Sequence, residues 1–339
     1  MKFKFPLCII CGLFTILFVS LGPSLVTARD LGVPISLQFR ISLPGVEGRI
    51  DHMAIDSRHR RLFVAALGNN SVEIIDLETK SDIKSLKGFR EPQGVLYINE
   101  LDKLFVTEGG SGLIRIFQGD PLTMVDSISL GSDADNIRYD SAARKVYVGY
   151  GSGGLAVIDP VTDRLLYKIS LKGHPESFQI DPAANLAYVN IPDAYEIAVV
   201  NLNDGSILKQ LRNLAADGNY PMALDPENHQ LLVGFRDPPT FAILDSQNGT
   251  AIVSIPIDRD PDDIFLDSES HLVFISSGAG VLQIMDQMTV ADDSALVKIA
   301  TAAGARTCFL DQSGARLFIA VPHRGRQLAE IWVYKLTRP

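Results

Sequence analysis

The sequence predicts a seven-bladed β-propeller of four-stranded antiparallel blades, and two observations carry that prediction. The first is a recurring unit, clearest over residues 49–77 (RIDHMAIDSRHRRLFVAALGNNSVEIIDL): a polar loop, a short apolar strand ending at Asp56, a basic turn, a second strand, a Gly/Asn turn and a third strand. Its anchor returns at Asp56, near Asn99, and at Asp140, Asp181, Asp225, Asp267 and Asp311, at spacings of 41 to 44 residues. The second strand keeps step as LFVAA, LFVTE, VYVGY, AYVNI, LLVGF, VFISS and LFIAV. A period in the forties with several short strands per unit is the signature of four-stranded propeller blades. Third strands such as VEIID and AVVN, and fourth strands such as DIKSLKGF, complete each unit.

The second observation joins the two ends of the chain. ISLQFRISL (35–43) alternates, with Ile35, Leu37, Phe39, Ile41 and Leu43 on one face, which reads as a half-buried strand. The seventh unit stops after its third strand, AEIWVYKL. The N-terminal strand is therefore expected to complete the last blade and close the ring, leaving no unpaired edge between first and last blades.

Ahead of that strand, residues 1–28 carry Lys2 and Lys4, an apolar run from Leu7 to Leu21, and Val26-Thr27-Ala28 as a small-residue cleavage site. This is the pattern of a signal peptide, and the expected mature chain is one propeller domain over 29–339 that is exported, periplasmic or extracellular. The rival is an uncleaved anchor, but the run is interrupted by Gly12 and short for a span, so no membrane span is expected in the mature chain. Cleavage removes Cys8 and Cys11 and leaves Cys308, so no internal disulfide is expected. Each blade contacts only its neighbours, so the length does not force a second domain. A closed ring has no obligatory interface, and a monomer is expected.

The net charge of −9 becomes −11 once Lys2 and Lys4 are lost. An acidic surface without a Lys/Arg stripe argues against nucleic acid and anionic membranes and favours a cation or a basic partner.

Antiparallel strands sort the loops onto two faces. The bottom turns begin with Asp56, Asp140, Asp181, Asp225, Asp267 and Asp311; Asp at this spacing is a turn former whose side chain bonds its own backbone. Asp76, Asp159 and Asp245, ending third strands, read the same way, and His59, His229 and His271 read as solvated. The top face differs. The position entering each innermost strand is Asp51, Gln93, Asp135, Glu176, Tyr220, Asp262 and Arg306, one per blade, which should ring the mouth of the central channel. The next position adds His52, Asn136 and Asp263, His174 lies just outside the ring, and the seventh blade's top loop brings His323 and Arg324 toward His52.

Carboxylate and amide oxygens at Asp135, Asn136, Glu176 and Asp262 suit a hard divalent cation such as calcium, and an added imidazole suits a transition metal. Crowded carboxylates without a cation raise one another's pKa, as in general acids. The plainer alternative is that channel mouths are wet and polar residues there bind water, with Arg306 and Arg324 neutralising Asp51 or Asp262.

With these residues in view, the chain resembles the YVTN-repeat (YncE-like) seven-bladed propellers of exported proteins. The likeness is carried by the LFVA/VYVG strands and by top-face segments such as Arg90-Glu91-Pro92-Gln93-Gly94, Asp133-Ala134-Asp135-Asn136, Gly173-His174-Pro175-Glu176-Ser177 and Pro322-His323-Arg324-Gly325, and it spans residues 35–336. It implies fold and export, and mostly binding or surface roles. Quinone-dependent propellers have eight blades with repeated Trp motifs, whereas Trp332 stands alone; Cys-x-x-Cys-His for haem, a Gly-x-Ser-x-Gly elbow and a phosphate loop are all missing. The Gly-rich segments at 109–112 and 151–154 join second to third strands as hairpins and imply no nucleotide.

Two readings follow. The favoured one is an exported binding or scaffold protein offering the ring to a small molecule, a cation or a protein partner. The alternative is a metal-dependent hydrolase or lyase of the lactonase kind, in which a cation on Asp135, Asn136, Glu176 and Asp262 polarises a carbonyl, His52 oriented by Asp51 moves the proton, and Arg306 and Arg324 hold an anionic substrate.

Overall fold

The computed structural model describes Met1, residues 35–290 and residues 296–337 of the protein. The expected leader, 1–28, lies outside the described residues apart from Met1. Among the described residues, twenty-eight strands form seven four-stranded antiparallel sheets. Blade 1 is β2 (Met53–Asp56), β3 (Arg61–Ala66), β4 (Ser71–Asp76) and β5 (Ser81–Lys87), and the pattern repeats from β6 (Pro92–Ile98), β10 (Ala134–Asp140), β14 (Phe178–Asp181), β18 (Asp217–Asp225) and β22 (Pro261–Asp267). Blade 7 runs β26 (Thr307–Asp311), β27 (Arg316–Val321), β28 (Glu330–Leu336) and then β1 (Ile35–Ser42), so the N-terminal strand closes the ring as expected. Among the described residues no helix is long and apolar enough to cross a membrane.

The middle positions of the second strands are apolar because both faces of each blade are covered. Phe63 and Ala65 of β3 pack with Val95, Leu104 and Val106 of blade 2, whereas Leu62 and Val64 pack toward blade 7. The same arrangement recurs at the other blade boundaries, with one apolar cluster at each. Burying each such side chain contributes about 1.5–3 kcal/mol, which is how a chain without a disulfide among its described residues holds a ring together.

The closing strand departs from the expected alternation. A bulge between Leu37 and Phe39 shifts its pairing with β28. Ile35 therefore packs toward blade 6, whereas Ile41 and Leu43 pack toward blade 1, and Leu37 is left 41% exposed. One extra residue is enough, because a one-residue shift turns every later side chain to the opposite face.

The bottom aspartates act as turn formers. Asp56 Oδ1 accepts the His59 amide at 3.0 Å, Asp140 Oδ1 those of Ala142 and Ala143 at 2.9 Å, and Asp181, Asp225 and Asp311 do likewise. Asp76, Asp159 and Asp245 cap the next turns in the same way. His229 and His271 are exposed, but His59 corrects the expectation: it is half-buried, with Nδ1 2.8 Å from Asp56 Oδ2, because Arg61 gathers both groups around its own guanidinium. The glycine hairpins also have a geometric cause. Gly112 sits at φ +68°, and a Cβ there would meet the Ser132 amide at 2.3 Å.

Candidate channel-mouth site

The mouth residues are displaced from the strand ladders, which is what turns them toward the axis. In blades 2, 3, 5 and 6 the innermost strand slips register between Pro92 and Val95, Ala134 and Ile137, Asn219 and Met222, and Pro261 and Asp263. Gln93, Asp135, Tyr220 and Asp262 lie inside those irregularities. In the other blades Asp51, Glu176 and Arg306 precede the strand. Such bulges re-aim side chains that a regular ladder would bury.

One part of the ring is neutralised by arginines. Asp51 is buried, with Oδ2 2.9 Å from Arg49 Nη2, and Arg49 also reaches Asp262 at 3.9 Å. Asp262 is bonded by Arg236, whose guanidinium stacks 3.7 Å over the Tyr220 ring. Arg306 donates to Asp260 Oδ2 at 2.6 Å and stands 3.9 Å from Asp262. Burial raises the Asp262 pKa while Arg49 and Arg236 oppose it. Asp51 raises that of Arg49 in turn.

The opposite part has carboxylates and an imidazole without a guanidinium in contact. Ligand atoms of Asp135, His174 and Glu176 all lie within 4.8 Å of one another. His174 Nε2 is 3.7 Å from Asp135 Oδ2, and its Nδ1 lies 2.5 Å from the Gly151 carbonyl and 3.6 Å from Asp133. Burial disfavours the imidazolium, but Asp135, the Gly151 carbonyl and Asp133 outweigh it and push the His174 pKa up to about 9. Burial, then Asp135, pushes Glu176 up to about 7. Beside them Asn136, only 5% exposed, has an Oδ1 with no hydrogen-bond partner, the kind of buried polar atom that calls for an explanation.

His52 stands between two carboxylates, its Nε2 3.8 Å from Asp51 and its Nδ1 3.9 Å from Asp263. Burial lowers its pKa, but Asp51, Asp263 and Asp135 overcome that and leave it raised. Asp263 accepts the Cys308 amide at 2.9 Å, and burial lifts it to about 7. Gln93 Nε2 donates to Asp133 at 3.3 Å. His323 turns to Glu47 at 2.7 Å, and the Arg324 guanidinium packs over Gly304, so the seventh blade's top loop serves the rim.

Of the four oxygen ligands expected from the sequence, the structure thus gathers Asp135 and Glu176 with His174, sets Asn136 beside them, and ties Asp262 to arginines. Sequence reasoning passed over Arg49 and Arg236. Arg49 heads the repeat unit itself, and Arg236 stands in the polar FRDPP loop, so a check of each acidic position against nearby loop cations could have found them.

Fold and mouth together define a seven-bladed β-propeller with a divided polar mouth. A solved structure of hydrazine synthase from Kuenenia stuttgartiensis resembles it with a TM-score of 0.72, covering 82% of this chain and 95% of that chain at 14% identity. At that identity the likeness speaks for the fold. No protein-family model matches the chain, and no curated protein matches it in sequence.

Proposed function

We propose that the protein is an exported binding propeller of the YVTN-repeat type whose mouth holds a divalent cation on Asp135, His174 and Glu176 and presents it to a ligand or protein partner. The observation that carries the reading is the convergence of three ligand atoms within 4.8 Å, where among the described residues no arginine forms an ion pair with Asp135 or Glu176 and Arg49 and Arg236 act only at longer range. A mixed imidazole and carboxylate set suits zinc or manganese better than calcium, whose usual ligands are all oxygen. Asn136, next to Asp135 in the chain, adds a buried amide oxygen without a hydrogen-bond partner. Export rests on the leader-like segment 1–28.

The test is elemental analysis of the purified protein, with melting followed in chelator and in added zinc, manganese, magnesium or calcium. The expected result is stoichiometric metal, or a cation-dependent stabilisation lost in both His174→Ala and Asp135→Ala/Glu176→Ala. No metal and no shift with any cation would sink the reading, and unfolding of the double variant would make these carboxylates structural. A second reading, the hydrolase or lyase, is favoured by His52, whose imidazole lies within 4 Å of both Asp51 and Asp263 and so is placed to move a proton. Turnover of lactones or esters by the metal-loaded protein, abolished in His52→Gln, would establish it.

A further inference from the structure

Beneath the mouth lies a cavity of about 510 Å³, and none of the seven ring residues lines it. Its walls run from His52, Gly94, Ser177 and Asp263 down to Asn99 and Gln312 in the bottom turns. Along each innermost strand alternate residues face the axis, and the level two residues below His52 and Asp263 is apolar at Leu96, Phe265 and Phe309, with one amide, Gln179, whose Nε2 donates to the Met222 carbonyl at 2.7 Å. Phe265 and Phe309 are partly exposed and meet edge to face, their centroids 6.1 Å apart. On that level the innermost strand of blade 3 contributes Arg138.

Arg138 has little of its charge answered by the protein. Nη1 donates to the Ile137 carbonyl at 2.8 Å, and the guanidinium carbon stands 5.6 Å from the Phe178 ring. Among the described residues no carboxylate forms an ion pair with it, and Asp263 and Asp135 act on it only at longer range. Among the described residues one of its five N–H donors meets a protein acceptor. Asp263 is a poor counter-ion, because it already accepts the Cys308 amide and faces His52. A guanidinium in so apolar a place is costly unless an anion meets it, and its planar fork matches a carboxylate.

We infer that the central channel binds a small apolar monocarboxylate, its carboxylate on Arg138 and its hydrocarbon or aromatic body against Leu96, Phe265 and Phe309. The volume is that of a small-molecule pocket, with an apolar belt at mid-depth and polar side chains above and below it. A single cation at this level, under an acidic mouth, selects one negative charge and disfavours a second. Access is from the bottom face, where the cavity reaches Asn99 and Gln312. This inference does not depend on the cation site.

The purified protein, in chelator at pH 7, would be titrated calorimetrically with phenylacetate, octanoate and the amide of each. At least one acid should bind, at least tenfold more tightly than its amide, and Arg138→Gln should erase that preference while melting as a folded protein. Absence of binding by both acids, equal binding of acid and amide, or unchanged acid binding in Arg138→Gln would overturn the inference. If Arg138→Gln does not fold, the acid-to-amide ratio on the unaltered protein decides. Because chelator is present throughout, failure of the cation reading cannot be mistaken for failure here.

Discussion

The two parts of the channel mouth are built from the same ring position and do opposite things with it. Around Asp51 and Asp262, three arginines from three blades interlock with the carboxylates, and the charge is settled inside the protein. Around Asp135 and Glu176 the nearest cation is an imidazole, and burial leaves the Glu176 carboxyl only partly ionised near neutrality. Acidic residues at a channel mouth therefore do not form one site by virtue of position. A carboxylate already held by guanidinium is a latch between blades, and one crowded against another carboxylate is what a cation can stabilise.

The most severe way to break the comparison is to open the ring. Deleting Ile35–Ser42 removes Ile41 from the boundary of blades 7 and 1. Melting should lose its single sharp transition and fall by roughly 10 °C or more. Next comes Asp262→Asn, which leaves Arg49 and Arg236 without their shared carboxylate and should cost about 1–3 kcal/mol in urea denaturation. Asp135→Asn, in the bare part, should cost less than Asp262→Asn, because losing its pairing with His174 is offset by the relief of Glu176.

A pH series separates the two parts more finely. Glu176, raised from 4.5 to about 7, and His174, raised from 6.5 to about 9, both bind protons more tightly folded than unfolded. Stability in chelator should therefore fall as pH rises, first up to about 7 through Glu176 together with Asp263, which is raised from 3.8 to about 7, and then from about 6.5 to 9 through His174. Glu176→Gln should flatten its share of the first segment and His174→Gln the second, each by roughly 1–3 °C in melting temperature. Bound cation should reverse the trend, since affinity rises as the ligands lose protons. The smallest effect is expected at the rim: His323→Ala loses a pair with the exposed Glu47, and should change stability by no more than about 0.5 kcal/mol and cation uptake not at all.

The repeat made most of this architecture legible. Seven registers of LFVA-type strands announce blades, and residues ahead of each first strand announce a ring, because both are local patterns repeated in step. His174 was visible only as a neighbour of the ring, and its place between Asp135 and Glu176 comes from the loop leading into β14. Arg138 was hidden for a different reason. In DNIRYD it reads as one more polar residue of a strand, and only the closed ring turns that position onto the axis.

By itself, then, the sequence determined the blade number, the strand pairing within blades and the closure by the N-terminal strand, since each follows from short-range hydrophobic period and chain order. Tertiary structure alone decided which carboxylates are neutralised and which are bare. Arg49, Arg236 and Arg306 lie far apart in the chain and gather around Asp260 and Asp262 only when blades 1, 5, 6 and 7 are brought round the axis, whereas the Arg49–Asp51 pair is local to one loop. It likewise decided that Leu37 faces solvent, because a bulge is set by how β1 must fit β28 and leaves no mark on the alternation. Charge pairing and bulges depend on neighbours that are distant in sequence, whereas blades repeat nearby.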